Sequence, residues 1–150
     1  LEGIVIENKN IRVVVTPEFG ARIISLIYKP TETEYAWHNP RVPVKKPNYE
    51  IDFEDPSDFF NCVPTTQACT FKGKELPAAG EVASEPWTLS SKVSDSDSVA
   101  LKMERSCKIY PMIIRKEMSI RGEEPIIRLS YENAILRKST LFSKDPVFVC

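Results

Sequence analysis

Tyr110-Pro111-Met112-Ile113-Ile114-Arg115-Lys116-Glu117-Met118-Ser119-Ile120 is the stretch that decides the fold class of this chain. Tyr110, Met112, Ile114, Met118 and Ile120 fall on one side of a period-two pattern; Pro111, Ile113, Arg115, Glu117 and Ser119 fall on the other. Successive side chains of a strand point to opposite faces, so the pattern predicts a half-buried β-strand. Upstream, Val99, Leu101, Met103 and Cys107 alternate in the same way with Ala100, Lys102, Glu104 and Ser106. Downstream, Arg121-Gly122-Glu123-Glu124-Pro125 reads as a turn, and Ile127, Leu129, Tyr131 and Asn133 line one face of a third strand. Residues 98–133 are thus expected to form a three-stranded antiparallel meander, with the serine- and aspartate-rich residues 90–98 as an exposed connection.

Working back to the start, Ile4-Val5-Ile6 and Ile11-Arg12-Val13-Val14-Val15 flank Glu7-Asn8-Lys9-Asn10, which predicts a hairpin. After Thr16-Pro17-Glu18-Phe19-Gly20, residues 21–29 carry Ile23, Ser25 and Ile27 on one face and Ile24, Leu26 and Tyr28 on the other, a strand covered on both sides. Residues 30–73 form a loop-rich insertion, because Pro30, Pro40, Pro43, Pro47, Pro56 and Pro64 remove backbone donors. Its aromatics, among them Tyr35, Trp37, Tyr49, Phe59 and Phe71, predict packing against a sheet, with one helical turn near residues 55–60. No window holds the spacing of an amphipathic helix. The class is all-β, an antiparallel β-sandwich or barrel built from a single domain over residues 1–150.

Composition narrows the function classes. Twenty basic and 21 acidic side chains leave a formal charge of −1, which gives no field to draw nucleic acid or an anionic membrane. Apolar runs such as residues 13–15 are too short to cross a bilayer. Cys62, Cys69, Cys107 and Cys150 have neither the Cys-x-x-Cys spacing nor the histidines of a zinc site, so free thiols, no metal, no cofactor and a cytoplasmic location are expected. The single histidine, His38, sits in Tyr35-Ala36-Trp37-His38-Asn39-Pro40 and reads as a solvated loop residue, with a ligand or general acid as the alternative.

A second set of segments points to a family. Pro17-Glu18-Phe19-Gly20-Ala21-Arg22-Ile23-Ile24-Ser25-Leu26 is followed by Leu76-Pro77-Ala78-Ala79-Gly80-Glu81-Val82-Ala83-Ser84-Glu85-Pro86-Trp87. Later come Arg115-Lys116-Glu117-Met118-Ser119-Ile120 and Ile127-Arg128-Leu129-Ser130-Tyr131-Glu132-Asn133. In this order they resemble the N-terminal half of aldose 1-epimerase (galactose mutarotase-like) proteins. Relatives open with a Pro-x-x-Gly-Gly-Arg-Ile-x-Ser-Leu type run, whose second glycine is Ala21 here. They also carry a Leu-Pro-Asp-His-Gly-Glu type run shortly before a tryptophan, whose histidine position is Ala79.

The resemblance implies a large antiparallel β-sandwich that holds a hexose in an open cleft on one sheet. Its family activity is mutarotation: a carboxylate takes the anomeric hydroxyl proton while an imidazole protonates the ring oxygen. Carried over, the first histidine is Ala79, the second falls on Asp145 of Asp145-Pro146, and the base glutamate falls beyond Cys150. Ala78 and Ala83 stand where relatives often have an aspartate and an aromatic. No catalytic residue is therefore assigned, and a monosaccharide or sugar phosphate is the implied partner. Glu81, Arg22, Trp87 and Asp145 are the candidate sugar contacts. Each has a plainer reading: Glu81 as an exposed turn carboxylate, Arg22 as a surface partner of Glu18, Trp87 as core, and Asp145 as a turn initiator. The competing function is a fragment or redesigned β-sandwich without a ligand. The apolar run Val147-Phe148-Val149-Cys150 would make it a homodimer through an open sheet edge.

Overall fold

In the computed structural model, which describes residues 2–37, 59 and 61–136, the chain begins with the expected hairpin. Strand β1 (Ile4–Glu7) pairs antiparallel with β2 (Ile11–Thr16), and Ile6 lies opposite Val13. Asn8 closes the turn, its Oδ1 accepting from the Asn10 and Ile11 N–H groups at 2.8 Å each. A short 3-10 turn, Pro17–Phe19, ends at Gly20 in the left-handed region (φ 76°) and turns the chain into β3 (Arg22–Tyr28). The two-residue β4 (Thr33–Glu34) completes a sheet of order β1-β2-β3-β4.

A small hairpin, β5 (Cys69–Phe71) with β6 (Lys74–Leu76), precedes the second sheet. That sheet is built from β7 (Thr88–Ser94), β8 (Ser98–Ser106), β9 (Met112–Arg121) and β10 (Arg128–Ile135), in the order β10-β9-β8-β7. The meander expected from the alternation is present, with one correction: most of the segment expected to be an exposed connection is strand β7. Its residues are almost all exposed, so no burial pattern marks them, and β8 recruits them chiefly through backbone pairing, with Ser90 Oγ donating to the Lys102 carbonyl at 3.0 Å.

The alternation in β9 is realised in full, with Met112, Ile114, Met118 and Ile120 at 1% exposure or less. They join Leu101 and Met103 of β8, and Ile6, Val13, Val15 and Ile23 of the first sheet, in one core. The two sheets thus close as a sandwich. Each such side chain contributes about 1.5–3 kcal/mol by leaving water, which is why apolar alternation on facing strands suffices to hold the layers together. At one end, the Asn8 amide donates to the Gly122 and Glu124 carbonyls at 2.9 and 2.8 Å, tying the first turn to the turn before β10.

The described part of the 30–73 insertion is only partly covered: Tyr35 and Trp37 are each 61% exposed, against the packing expected of them. Phe71 does pack, tilted against Tyr110 with ring centroids 5.9 Å apart. His38, the helical turn near residues 55–60, Asp145 and the apolar run at 147–150 lie outside the described residues. Among the described residues, no helix is long and apolar enough to cross a membrane, and no group of three or more metal-ligating side chains comes together.

Candidate functional site

The segment 76–87 does not stand apart as a loop; it is stitched onto the turn before β3. Gly20 N–H donates to the Glu85 carbonyl at 2.9 Å, and Trp87 N–H to the Pro17 carbonyl at 2.8 Å. Gly20 and Ala83 approach so closely that a Cβ on Gly20 would sit 1.9 Å from the Ala83 carbonyl oxygen. On the other side, Gly80 bridges Val63, and Glu81 N–H donates to the Val63 carbonyl at 2.8 Å. Ala79, Ala83 and Cys62 pack together beneath this junction. Turn 17–22, residues 61–63 and segment 79–83, distant in sequence, therefore pack into one largely buried junction.

Two backbone positions in that region are strained. Ala21 (φ 50°) and Ala79 (φ 59°) both sit in the left-handed region while buried, and Ala21 has no exposed surface at all. A side chain there costs on the order of 1–2 kcal/mol, which accounts for the glycine that resembling sequences carry at the position of Ala21. Ala79 N–H is held by the Thr66 carbonyl at 3.0 Å. Its methyl group can neither give nor take a proton.

Of the four residues singled out from sequence, Glu81 has a structural task. Its carboxylate accepts three backbone N–H groups, from Lys108 (2.6 Å), Ile109 (2.7 Å) and Tyr110 (2.9 Å), and so fixes the turn between β8 and β9. Trp87 is 4% exposed, belongs to the core and donates from Nε1 to the Val82 carbonyl at 3.0 Å. As a flat surface for a sugar ring it is out of reach. Arg22 is fully buried rather than paired with Glu18 at the surface; its Nε donates to the Phe19 carbonyl at 2.9 Å. A guanidinium with no exposed surface persists only when its donors are satisfied, so Arg22 braces the turn on which the region is built.

The structure adds three residues that the sequence reading passed over. Lys116 lies on the inward face of β9, in line with Met112, Ile114, Met118 and Ile120, and is 2% exposed. It reaches across the sandwich to donate to the Ala21 carbonyl at 3.0 Å, and its Nζ stands over the Tyr131 ring, 5.6 Å from the centroid. Burial pulls its pKa down to about 8. Tyr131, opposite Lys116 in the β9–β10 register, donates its hydroxyl proton to Asn61 Oδ1 at 2.8 Å; burial pushes that phenol upward, so it stays a donor. Asn61 in turn donates from Nδ2 to the Gly20 carbonyl at 3.2 Å. A lysine inside an otherwise apolar alternation is the one signal that could have flagged this group from sequence. Asn61 and Tyr131 meet only in space.

A concavity of about 340 Å³ is lined by Ile11, Leu26, Tyr28, Tyr35, Pro125 and Ile127. Its walls are mostly apolar.

Comparison with known proteins bears on the fold. The chain is similar to the crystal structure of YeaD from Salmonella typhimurium, described as a candidate mutarotase, with a TM-score of 0.60 and 18% identity over 79% of this chain and 40% of that one. It is also similar to Slr1438 from Synechocystis sp. PCC 6803, with a TM-score of 0.58 and 12% identity over 90% of this chain and 49% of that one. HI1317 gives a TM-score of 0.50 and 17% identity over 81% of this chain and 48% of that one. No protein-family model and no curated protein matches the sequence. At the level of fold, the chain is a β-sandwich of the kind found in mutarotase-like proteins. It spans less than half the length of each of these structures.

Proposed function

We propose that this chain recognises a hexose and does not interconvert its anomers, as one domain corresponding to the N-terminal half of a mutarotase-like fold. The observation that carries the reading is the junction of turn 17–22, residues 61–63 and segment 79–83. The segments whose sequences resemble the family are drawn together into one junction, by the Gly20–Ala83 approach and the Val63–Gly80 bridge. Backbone strain at Ala21 and Ala79 supports it, since strained residues gather at ligand sites.

Catalysis is the part that falls away. Ring opening needs a proton delivered to the ring oxygen and another removed from the anomeric hydroxyl, each by a group within hydrogen-bond reach. Ala79 has no ionisable side chain, and both Glu81 oxygens are committed to backbone N–H groups. Asp145 remains a proposed sugar contact on sequence grounds alone. The thiols of Cys62 and Cys107, free among the described residues, support a reducing, cytoplasmic setting.

The experiment is polarimetry on freshly dissolved α-D-galactose and α-D-glucose, run beside an amide-shift titration with the same sugars. The reading expects saturable shifts around residues 20–22, 61–63 and 79–83, with optical rotation decaying at the buffer rate.

A second reading, self-association without a ligand, has one observation in its favour. β10 is an edge strand among the described residues, and Leu129, Tyr131 and Leu136 on or beside it are 41–48% exposed. Sedimentation velocity decides it: a concentration-dependent dimer supports it, and a monomer at all concentrations removes it.

A further inference from the structure

We propose that β10 is an interface strand, pairing antiparallel with β10 of a second copy of this chain about a twofold axis at Ser130. This rests on the self-association reading above, to which it adds the strand and the register, and it is independent of hexose binding.

The first argument is which sheet edge the fold leaves open. An exposed edge is a template for pairing, and proteins blunt it by keeping the strand short or by interrupting it with a bulge. β1 is four residues long and β4 two, and the pairing of β7 shifts register between Leu89 and Ser91. β10 has neither protection. It runs for eight residues without proline or lysine, pairs with β9 without a shift, and has no strand on its other side among the described residues.

The second argument is charge. Glu104 of β8, Arg115 of β9 and Glu132 of β10 stand opposite one another in register on the outer face. Arg115 bridges both carboxylates, Nε to Glu104 at 3.3 Å and Nη1 to Glu132 at 3.1 Å. The row alternates in sign and stops at Glu132, on the edge, so the strand that continues it should set a cation there. β10 itself carries one on the same face, Arg128. Arg128 binds Glu124 through Nη2 at 2.6 Å, while its Nη1 is buried without an acceptor among the described residues.

The register follows from symmetry. Directly opposed residues of an antiparallel pair share a face, so a twofold axis normal to the sheet keeps both cores on one side and is centred on a single residue. Centred on Glu132, the pairing sets like charges against each other; centred on Tyr131, it opposes Glu132 to a serine. Centred on Ser130, it opposes Glu132 to the partner's Arg128 at two symmetric places, and the alternating row continues into the second copy. On the core-side face the same register opposes Leu129, 41% exposed, to the partner's Tyr131, and so covers apolar surface that one copy leaves in water. The two four-stranded sheets then run on as one.

The test is sedimentation velocity on the full 150-residue chain for wild type, Arg128→Glu, Glu132→Arg and an equimolar mixture of the two variants. Wild type should dimerise reversibly. Each variant alone opposes like charges at both symmetric places and should weaken the dimer about tenfold or more. The mixture opposes arginine to glutamate at both places and should dimerise within about threefold of wild type, whereas a merely structural effect of either substitution would persist in it. Fluorescence of the buried Trp87 reports whether each variant is folded. Wild type that stays monomeric at all concentrations overturns this interface and the self-association reading together. A wild-type dimer that either folded variant leaves intact, or a mixture no tighter than the variants alone, overturns the β10 register and spares self-association.

Discussion

Gly20 and Ala83 touch through backbone alone: a Cβ added at Gly20 would meet the Ala83 carbonyl oxygen at 1.9 Å, in a residue whose φ of 76° already disfavours a side chain. Nothing but glycine fits, and the contact joins the turn before β3 to the segment before β7. Gly80 stands in the same relation to Val63, with a hypothetical Cβ 2.1 Å from that carbonyl oxygen.

Gly20→Ala and Gly80→Ala should therefore each destabilise the chain by about 3 kcal/mol or more, because backbone must move as well as accept a strained dihedral. Gly73 is the control: its φ is 73°, but nothing lies within 4 Å of its Cβ position. Gly73→Ala should cost only about 1 kcal/mol. Urea denaturation of the three variants checks the contrast, and equal losses would mean that dihedral strain alone, not the packed junction, sets the cost.

Glu81 should behave as a structural residue. Replacing it with alanine leaves the N–H groups of Lys108, Ile109 and Tyr110 without their acceptor, at a cost on the order of 2–4 kcal/mol. Glu81→Gln keeps one carbonyl oxygen and should lose roughly half as much. A thermal melt of Glu81→Ala within a degree of wild type would place the turn's stability elsewhere.

Alkaline titration should show Lys116 and Cys107 pulling in opposite directions. Lys116 is held at about 8 in the folded chain, against about 10.4 for a free lysine, so the unfolded chain binds more protons between these values and stability rises with pH. Cys107 is pushed up to about 11, chiefly by burial and then by the Glu81 charge, so above its unfolded value the folded chain binds more protons and stability falls. Stability should climb as pH passes 8, level off once the unfolded thiol ionises because the two slopes then cancel, and fall above about 10.4 where the unfolded lysine has also lost its proton. In Lys116→Met the climb, on the order of 3 kcal/mol if unopposed, should vanish and only the decline remain. Urea midpoints from pH 7 to 11 for both chains make the comparison, and an unchanged climb in Lys116→Met would assign it to another group.

Restoring one proton carrier should not restore the reaction. Ala79→His places an imidazole at a position with φ 59°, which histidine tolerates better than most residues, but the site is buried against Ala83 and Cys62, so the variant should lose about 1–3 kcal/mol through overpacking, and a urea melt checks that it still folds. With both Glu81 oxygens engaged, no partner base stands ready, and polarimetry should show the buffer rate. A faster decay would reveal a base among the remaining residues.

How far the sequence announced all this depends on what each residue responds to. Met112, Ile114, Met118 and Ile120 answer to burial, which has a period in sequence, and β8, β9 and the first hairpin were legible from it. Thr88–Ser94 answers to β8 as a backbone template, and an exposed serine-rich edge strand carries no such period. Trp87 was correctly weighed between core and platform, but Arg22 was expected at the surface, and only the folded turn shows that its Nε meets the Phe19 carbonyl. Asn61 and Tyr131 are 70 residues apart and acquire their relation only when the sandwich closes. Local pattern predicts strands; it does not predict which polar groups meet between them.

The most direct measurement is one sample observed in two ways: D-galactose titrated into the isotope-labelled chain while the optical rotation of fresh α-D-galactose is followed at the same protein concentration. A hexose site without proton carriers predicts saturable amide shifts at residues 20–22, 61–63 and 79–83, together with rotation that decays as in buffer. Rotation that decays faster, or a spectrum indifferent to sugar, contradicts it.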